Sequence, residues 1–337
     1  MFQSLLGDFL FIHFFMNSTF PSKLMLNDGI RIIAPSLSKT TVDEITLQQS
    51  QSFFEANGYS ITFGTYTEEC NLFDSSPIQS RLSDIADALN DPDTKMILPA
   101  IGGYNCNQLL PFLDYETIQQ TKKIWCGMSD ITVLLNAIYA KTGLVTYLGP
   151  NFNRFGLEAE REYTAQSFFA AVSGETTTPL STSSYYFDQN NREINPGPII
   201  INSGHAKGTI IGGNLCSFNL LQGTEYMPPL KNSILFIEDD PLLEDFAVEF
   251  ERNLYSVLQQ KDGRSIRGIC IGRFEKACSM TTEKLNAIFD TDPLFKSIPI
   301  IANLDFGHTL PMATIPIGGT AEIIATEEQA QIFLLQQ

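Results

Sequence analysis

The chain has 337 residues, 43% hydrophobic and 18% charged, which excludes disordered and fibrous architectures and suits about two domains of roughly 150 residues each. Its 21 Lys+Arg against 38 Asp+Glu leave a formal charge of −17, which repels polyanions and argues against a nucleic acid polymer or an anionic membrane as partner. Six cysteines without CxxC spacing read as free thiols in a reducing compartment, and three histidines offer little from which to build a metal centre.

The first 28 residues read as a leader that fits poorly. Phe9–Met16 is an apolar run far short of a membrane span, and Met1–Leu10 has no Lys or Arg and carries Asp8, unlike a signal peptide. An upstream start is expected, with Met16 or Met25 as alternatives, and a cytoplasmic protein. From Gly29 the pattern is regular. Ile30–Ala34 predicts a buried strand, Thr41–Asn57 a helix stopped at Gly58, Tyr59–Phe63 a strand, and Ile78–Asn90 an amphipathic helix. Lys95–Ala100 and Lys123–Gly127 predict further strands, and Ile131–Lys141 a helix ending at Gly143. Short strands alternating with helices imply βαβ units and a mainly parallel, Rossmann-like sheet over an N-terminal domain, residues 29–172. Residues 173–198, rich in Ser, Thr, Asn, Gly and Pro, read as a linker or substrate loop. Strands at Gly208–Gly213, Ser233–Ile237, Gly268–Gly272 and Ile298–Leu304, with a helix over Leu242–Gln260, predict a smaller C-terminal α/β or barrel-like domain, residues 199–337.

The chemistry gathers at predicted strand ends. Ser129 occupies the strand-to-helix turn Cys126–Ile131, which lifts its Oγ above the sheet beside backbone N–H groups of a helix N-terminus. A serine or aspartate there caps the helix or, in the case of Ser129, acts as a nucleophile. Ile101-Gly102-Gly103-Tyr104-Asn105 follows another strand at the same carboxyl edge, where open α/β sheets bind ligands; a plain tight turn is its other reading. With no GxGxxG and no Lys-Ser/Thr after the glycines, a nicotinamide, flavin or P-loop site is disfavoured. His308 follows the apolar run Ile298–Leu304, while His205 sits in a polar, solvated turn and His13 in the leader, so an imidazole partner for a serine falls on His308. Glu238 ends the run Ser233–Ile237 and is placed either to orient a histidine or to face water. Asp239 and Asp240 read as solvent-facing or as caps of the next helix.

Together these segments resemble the S66 serine peptidases, the LD-carboxypeptidase family, and most closely its branch similar to the microcin C immunity protein. The matching stretches are Ile101–Asn105, Leu109–Asp114, Gly127–Thr132, Lys141–Val145, Gly149-Pro150, Gly212–Leu215, Leu220–Thr224, Leu235–Asp239 and Asp305–His308, in family order over about residues 27–320. The resemblance implies a Ser129–Glu238–His308 triad, an oxyanion hole from the backbone N–H groups of Gly103 and Asp130, and a homodimer. No cofactor or metal is implied. Met128 stands where the family usually has Tyr, and Ile101 where the murein-recycling branch tends to carry Arg. A peptidyl-aminoacyl nucleotide is therefore the first substrate expectation, with an LD bond in a muropeptide as the alternative. A non-catalytic small-molecule binding module is the rival of another class. Tyr104, Asn214 and Glu275 are candidate substrate contacts, and Tyr185 and Tyr186 candidate base-stacking residues.

Overall fold

The computed structural model describes residues 18–159, 161–174, 177–188, 191–241 and 245–335. In chain order the first half runs β1 (Gly29–Ile33), α1 (Glu44–Ala56), β2 (Ser60–Phe63), α2 (Ile78–Asn90), β3 (Thr94–Pro99), α3 (Tyr115–Thr121), β4 (Ile124–Gly127), α4 (Thr132–Thr142), β5 (Thr146–Leu148) and α5 (Arg161–Val172). The second half adds β6 (Thr177–Pro179), β7 (Tyr185–Asp188), β8 (Asn191–Ile194), β9 (Ile199–Asn202), β10 (Gly204–Asn214), α6 (Leu215–Asn219), β11 (Ser233–Glu238), α7 (Phe246–Leu258), β12 (Gly268–Gly272), α8 (Thr282–Phe289), β13 (Ile300–Leu304), β14 (Ile315–Ile317), β15 (Thr320–Ala325) and β16 (Ala330–Leu335).

The first sheet has the order β14-β5-β4-β3-β1-β2. Its strands β1 to β5 are parallel, and β14 returns from the second half of the chain to close the edge antiparallel to β5. Ile30, Ile32, Met96, Ile97 and Leu98 are fully buried, as expected of strands covered by helices on both faces. Asp43 caps α1 through Thr46 N–H at 2.8 Å, and α2 turns Ile85, Ala88 and Leu89 inward.

The second sheet is open and mixed, in the order β6-β16-β15-β10-β11-β12-β13-β9. Its centre, β10 to β13, is parallel, and every residue of β11 and β12 is buried. Residues 173–198, expected as a linker or loop, carry β6 on one edge of this sheet and the separate β7–β8 hairpin.

Between the sheets lies α4, with nine of its eleven residues buried, packed against both β5 and β10. A helix apolar on all sides belongs in such a place. Residues 18–28, expected within the leader, are instead anchored. Ser18 Oγ donates to Gly318 O at 2.6 Å, Thr19 pairs with Leu144, and Leu24 is buried, because its side chain completes the aromatic core under β1. The apolar run Phe9–Met16 lies outside the described residues, as does Leu242–Glu244 of the expected helix that the structure starts at Phe246. No helix among the described residues is long and apolar enough to cross a membrane.

Candidate active site

The turn after β4 holds Ser129 at φ +60°, a left-handed conformation that costs a non-glycine residue about 1 kcal/mol or more. Residues Ser129–Ile131 then form one 3₁₀ turn leading into α4. Gly102 lies directly against the serine, since a Cβ there would stand 2.9 Å from Ser129 Cβ and 3.2 Å from its Oγ. Gly103, at φ +151°, approaches so closely that a Cβ would fall 2.3 Å from Ser36 Oγ. No side chain fits either position. The buried Asp130 carboxylate ties the loops together, accepting from Ser36 Oγ at 2.6 Å and from Cys106 N–H at 2.8 Å through Oδ2. Beneath them the buried Arg81 guanidinium donates to Pro35 O, Asn105 O, Asn105 Oδ1 and Gln108 Oε1.

On the other side, β11 ends at the buried Glu238, and His308 sits in the loop after β13. Their side chains meet with His308 Nδ1 and Glu238 Oε2 2.7 Å apart, and His308 Nε2 lies 3.7 Å from Asp240 Oδ1. Burial opposes protonation of the imidazole, but the Glu238 carboxylate and Asp240 outweigh it and push the pKa up to about 9. The loop is fixed by Asp305, whose carboxylate pairs with the buried Arg273 at 2.6 Å and accepts from Ser183 N–H at 2.6 Å.

The two sides are joined through α4. Asn136 donates to Gly212 O at 2.7 Å and accepts from Gly212 N–H at 3.1 Å, while Thr132 Oγ1 accepts from Asn214 N–H at 3.0 Å. Gly213, at φ +132°, leaves no room for a Cβ, which would stand 2.5 Å from Thr132 Oγ1. Asn214 is the register partner of Glu238. The helix that starts at the serine turn thus carries the strand that sets the position of the glutamate.

A cavity of about 440 Å³ opens between these walls, lined by Gly103, Tyr104, Ser129, Asp130, Asn214 and His308 among others. Glu238 lies behind His308. Ser129 and His308 face the cavity together, without a hydrogen bond between them among the described residues. Glu275 stands near the cavity rather than on its wall; burial raises its pKa, against the pull of His308 and Arg154. Tyr185 and Tyr186 are not on the wall either. A guanidinium lies over one face of each ring, Arg192 at 3.7 Å over the exposed Tyr185 and Arg273 at 4.6 Å over Tyr186. Asp239, expected in solvent, is buried: its Oδ1 accepts from Asn214 Nδ2 at 3.1 Å, and burial with the neighbouring Glu238 and Asp240 charges lifts its pKa to about 8. Asp240 lines the cavity and accepts from the same amide at 2.8 Å. Asn151, Asn153 and Arg154 also reach the cavity and escaped sequence reasoning; their signal was the Gly149-Pro150 end of β5, at the same carboxyl edge.

Family models described as the LD-carboxypeptidase N-terminal domain and C-terminal domain match residues 30–149 and 207–323. The chain belongs to the S66 peptidase family. It is similar to the putative carboxypeptidase YocD of Bacillus subtilis, at 43% identity over 94% of this chain and 99% of that one. Among solved S66 structures, an MccF-like protein from Bacillus anthracis aligns with a TM-score of 0.92 at 42% identity, covering 95% of this chain and all of that one. The microcin C7 self-immunity protein MccF, solved with aspartyl sulfamoyl adenosine, aligns with a TM-score of 0.84 at 28% identity, covering 94% and 98%. As an S66 member the chain is a peptidase of the carboxypeptidase type, with that family's two-domain α/β fold.

Proposed function

We propose that this S66 peptidase is a serine carboxypeptidase or amidase that cleaves an amide bond through Ser129, His308 and Glu238, and that its substrate is a peptidyl-aminoacyl nucleotide. The observation that carries the reaction is that a strained serine turn and a carboxylate-bound imidazole face the same cavity. His308 Nε2 takes the proton of Ser129 as Oγ attacks the carbonyl carbon. The N–H groups of Gly103 and Asp130 hold the developing oxyanion, and Glu238 fixes the tautomer and balances the imidazolium. The C–N bond then breaks with protonation of the leaving nitrogen by His308. Water, activated by the same imidazole, releases the acyl group and restores the serine.

Support for the nucleotide substrate is the likeness to MccF, which has been solved with an aminoacyl sulfamoyl nucleoside bound, and Ile101 at the position where the murein-recycling branch tends to carry Arg. The test incubates purified protein with a peptidyl-aminoacyl nucleotide and with a muropeptide ending in D-alanine, alongside Ser129→Ala. Cleavage of the nucleotide conjugate, lost in the variant, is expected. Cleavage of the muropeptide alone would overturn the substrate, and full activity of Ser129→Ala would overturn the reaction.

A further inference from the structure

Three guanidinium groups lie in or beneath the walls around the cavity, and the protein treats them differently. Arg81 donates to four oxygen acceptors, and Arg273 pairs with Asp305 and donates through Nε to Asn303 Oδ1, so both are engaged by the protein even though Arg81 Nε and the Arg273 Nη atoms lack hydrogen-bond partners. Arg154 faces the cavity that holds Ser129 and His308, yet among the described residues its side chain has no hydrogen bond and no ion pair. The acids it senses, Glu275 and Glu238, act on it only at longer range, against a burial that disfavours its charge. Next to it the buried Asn153 Oδ1 is also without a partner. A half-buried, permanently charged fork that faces a cavity and has no acceptor from the protein is open to an anionic ligand.

The position is rigid. Arg154 belongs to the 3₁₀ turn Phe152–Gly156, whose Phe152 and Phe155 side chains are wholly buried in the aromatic cluster with Phe54 and Phe168, and Asn153 N–H is held by Ala100 O at 3.1 Å. The turn follows β5, so the guanidinium enters at the carboxyl edge shared by the serine and glycine turns.

We infer that Arg154 is the receptor for an anion on the leaving side of the scissile amide, and that it selects substrates carrying one. This rests on the hydrolase reading above and deepens it. An amino acid released by a carboxypeptidase carries its carboxylate two bonds from the scissile nitrogen, and a nucleotide leaving group carries its phosphoryl or sulfamoyl group directly on that nitrogen. Both present the planar or tetrahedral oxyanion that a guanidinium fork binds in two-point fashion. Asn153 Oδ1, beside it, is an acceptor suited to the amide N–H that precedes the anion. Arg154 is a binding and specificity residue in this scheme and takes no part in proton transfer.

The test measures binding, so it does not depend on turnover. Ser129→Ala protein, with and without Arg154→Gln or Arg154→Lys, is titrated by calorimetry with a tetrapeptide ending in D-alanine and with its C-terminal amide. A second arm uses aspartyl sulfamoyl adenosine and a neutral N-alkyl aspartamide. Anionic ligands are expected to bind more tightly than their neutral counterparts, and R154Q to weaken the anionic ligands by roughly 10- to 100-fold while leaving the neutral ones nearly unchanged. R154K keeps the charge without the fork and falls between. The arm in which the discrimination collapses identifies the source of the anion. Equal weakening of acid and neutral ligands, unchanged discrimination in R154Q, or no binding of either anion overturns the inference. If wild-type protein hydrolyses nothing while Arg154-dependent discrimination persists, the reaction is overturned and the anion receptor stands.

Discussion

Glu238 and His308, seventy residues apart in the chain, meet at 2.7 Å with the carboxylate 1% exposed, so the imidazole is held by a charge that water does not screen. A base must be neutral to accept a proton, and this one is driven to about 9 by Glu238 and Asp240 against its burial. The kcat/KM of the free enzyme is therefore expected to rise with pH through neutrality and level off only above about 9. Glu238→Gln removes the larger attraction and leaves Asp240 alone against burial, so the rising limb moves to lower pH while the plateau falls by roughly 10³–10⁴-fold through the lost tautomer control. A pH–rate series on both proteins checks this. An unchanged limb in the variant would show that Glu238 does not govern the imidazole. The sign for stability follows from the same shift: the raised pKa stabilises the fold fully below the ordinary histidine value of 6.5 and ceases to do so as pH climbs through about 9.

Ser129 combines two roles that substitutions separate. Ser129→Ala removes the hydroxyl and keeps the strain of φ +60°; Ser129→Gly removes both. Each is expected to lower kcat by at least about 10³-fold, as loss of a nucleophile does. Thermal unfolding should place the glycine variant about 1–4 °C above the alanine variant, the worth of about 1 kcal/mol of relieved backbone strain in a chain of this size. Equal melting temperatures would mean that the turn is not strained in solution.

Central elements could be read from local pattern because their burial is written into consecutive residues. The strand at Gly268–Gly272 and the helix at Ile78–Asn90 have the expected bounds, and Ser233–Glu238 differs from its expectation by one residue. The edge strands could not. Thr177–Pro179 and Ile315–Ile317 are three residues each and become strands only by pairing with Leu335 and Leu148 and their neighbours, far along the chain. The site divides in the same way. Ser129, Gly103 and His308 lie at strand ends that the pattern locates. Nothing in the local pattern shows that Arg192, from the paired strand of the same hairpin, lies over Tyr185, or that Arg273, from far along the chain, lies over Tyr186. Asp239 reads as one of three acids after a strand, and only the packing of β10 against β11 shows that it is enclosed.

The Asn136 carboxamide makes two of the buried bonds that join α4 to the second sheet. Asn136→Ala would leave both Gly212 N–H and Gly212 O unmet inside the protein, which costs about 2–4 kcal/mol for two buried bonds. The expected result is a lower urea midpoint together with a fall in kcat/KM, since β10 carries Asn214 and registers Glu238. Loss of stability without any loss of activity at permissive urea would show that the sheets keep their alignment without this bond.

Asp239 supplies a pH test of a different sign. Its carboxyl titrates near 8 in the folded chain, raised by burial and then by Glu238 and Asp240, against 3.8 when unfolded. Between these values the unfolded chain releases a proton that the folded chain keeps. The residue therefore weakens the fold progressively as pH rises toward 8, and the penalty is constant beyond it. Asp239→Asn cannot ionise and keeps the oxygen that accepts from Asn214 Nδ2, while its amide nitrogen replaces the unpartnered Oδ2. The variant's melting temperature should exceed the wild type's by a margin that widens from pH 5 to pH 8 and stays level at pH 9. Scanning calorimetry of both proteins in matched buffers measures that margin. A difference independent of pH would show that Asp239 is ionised throughout and that the buried site tolerates three adjacent charges.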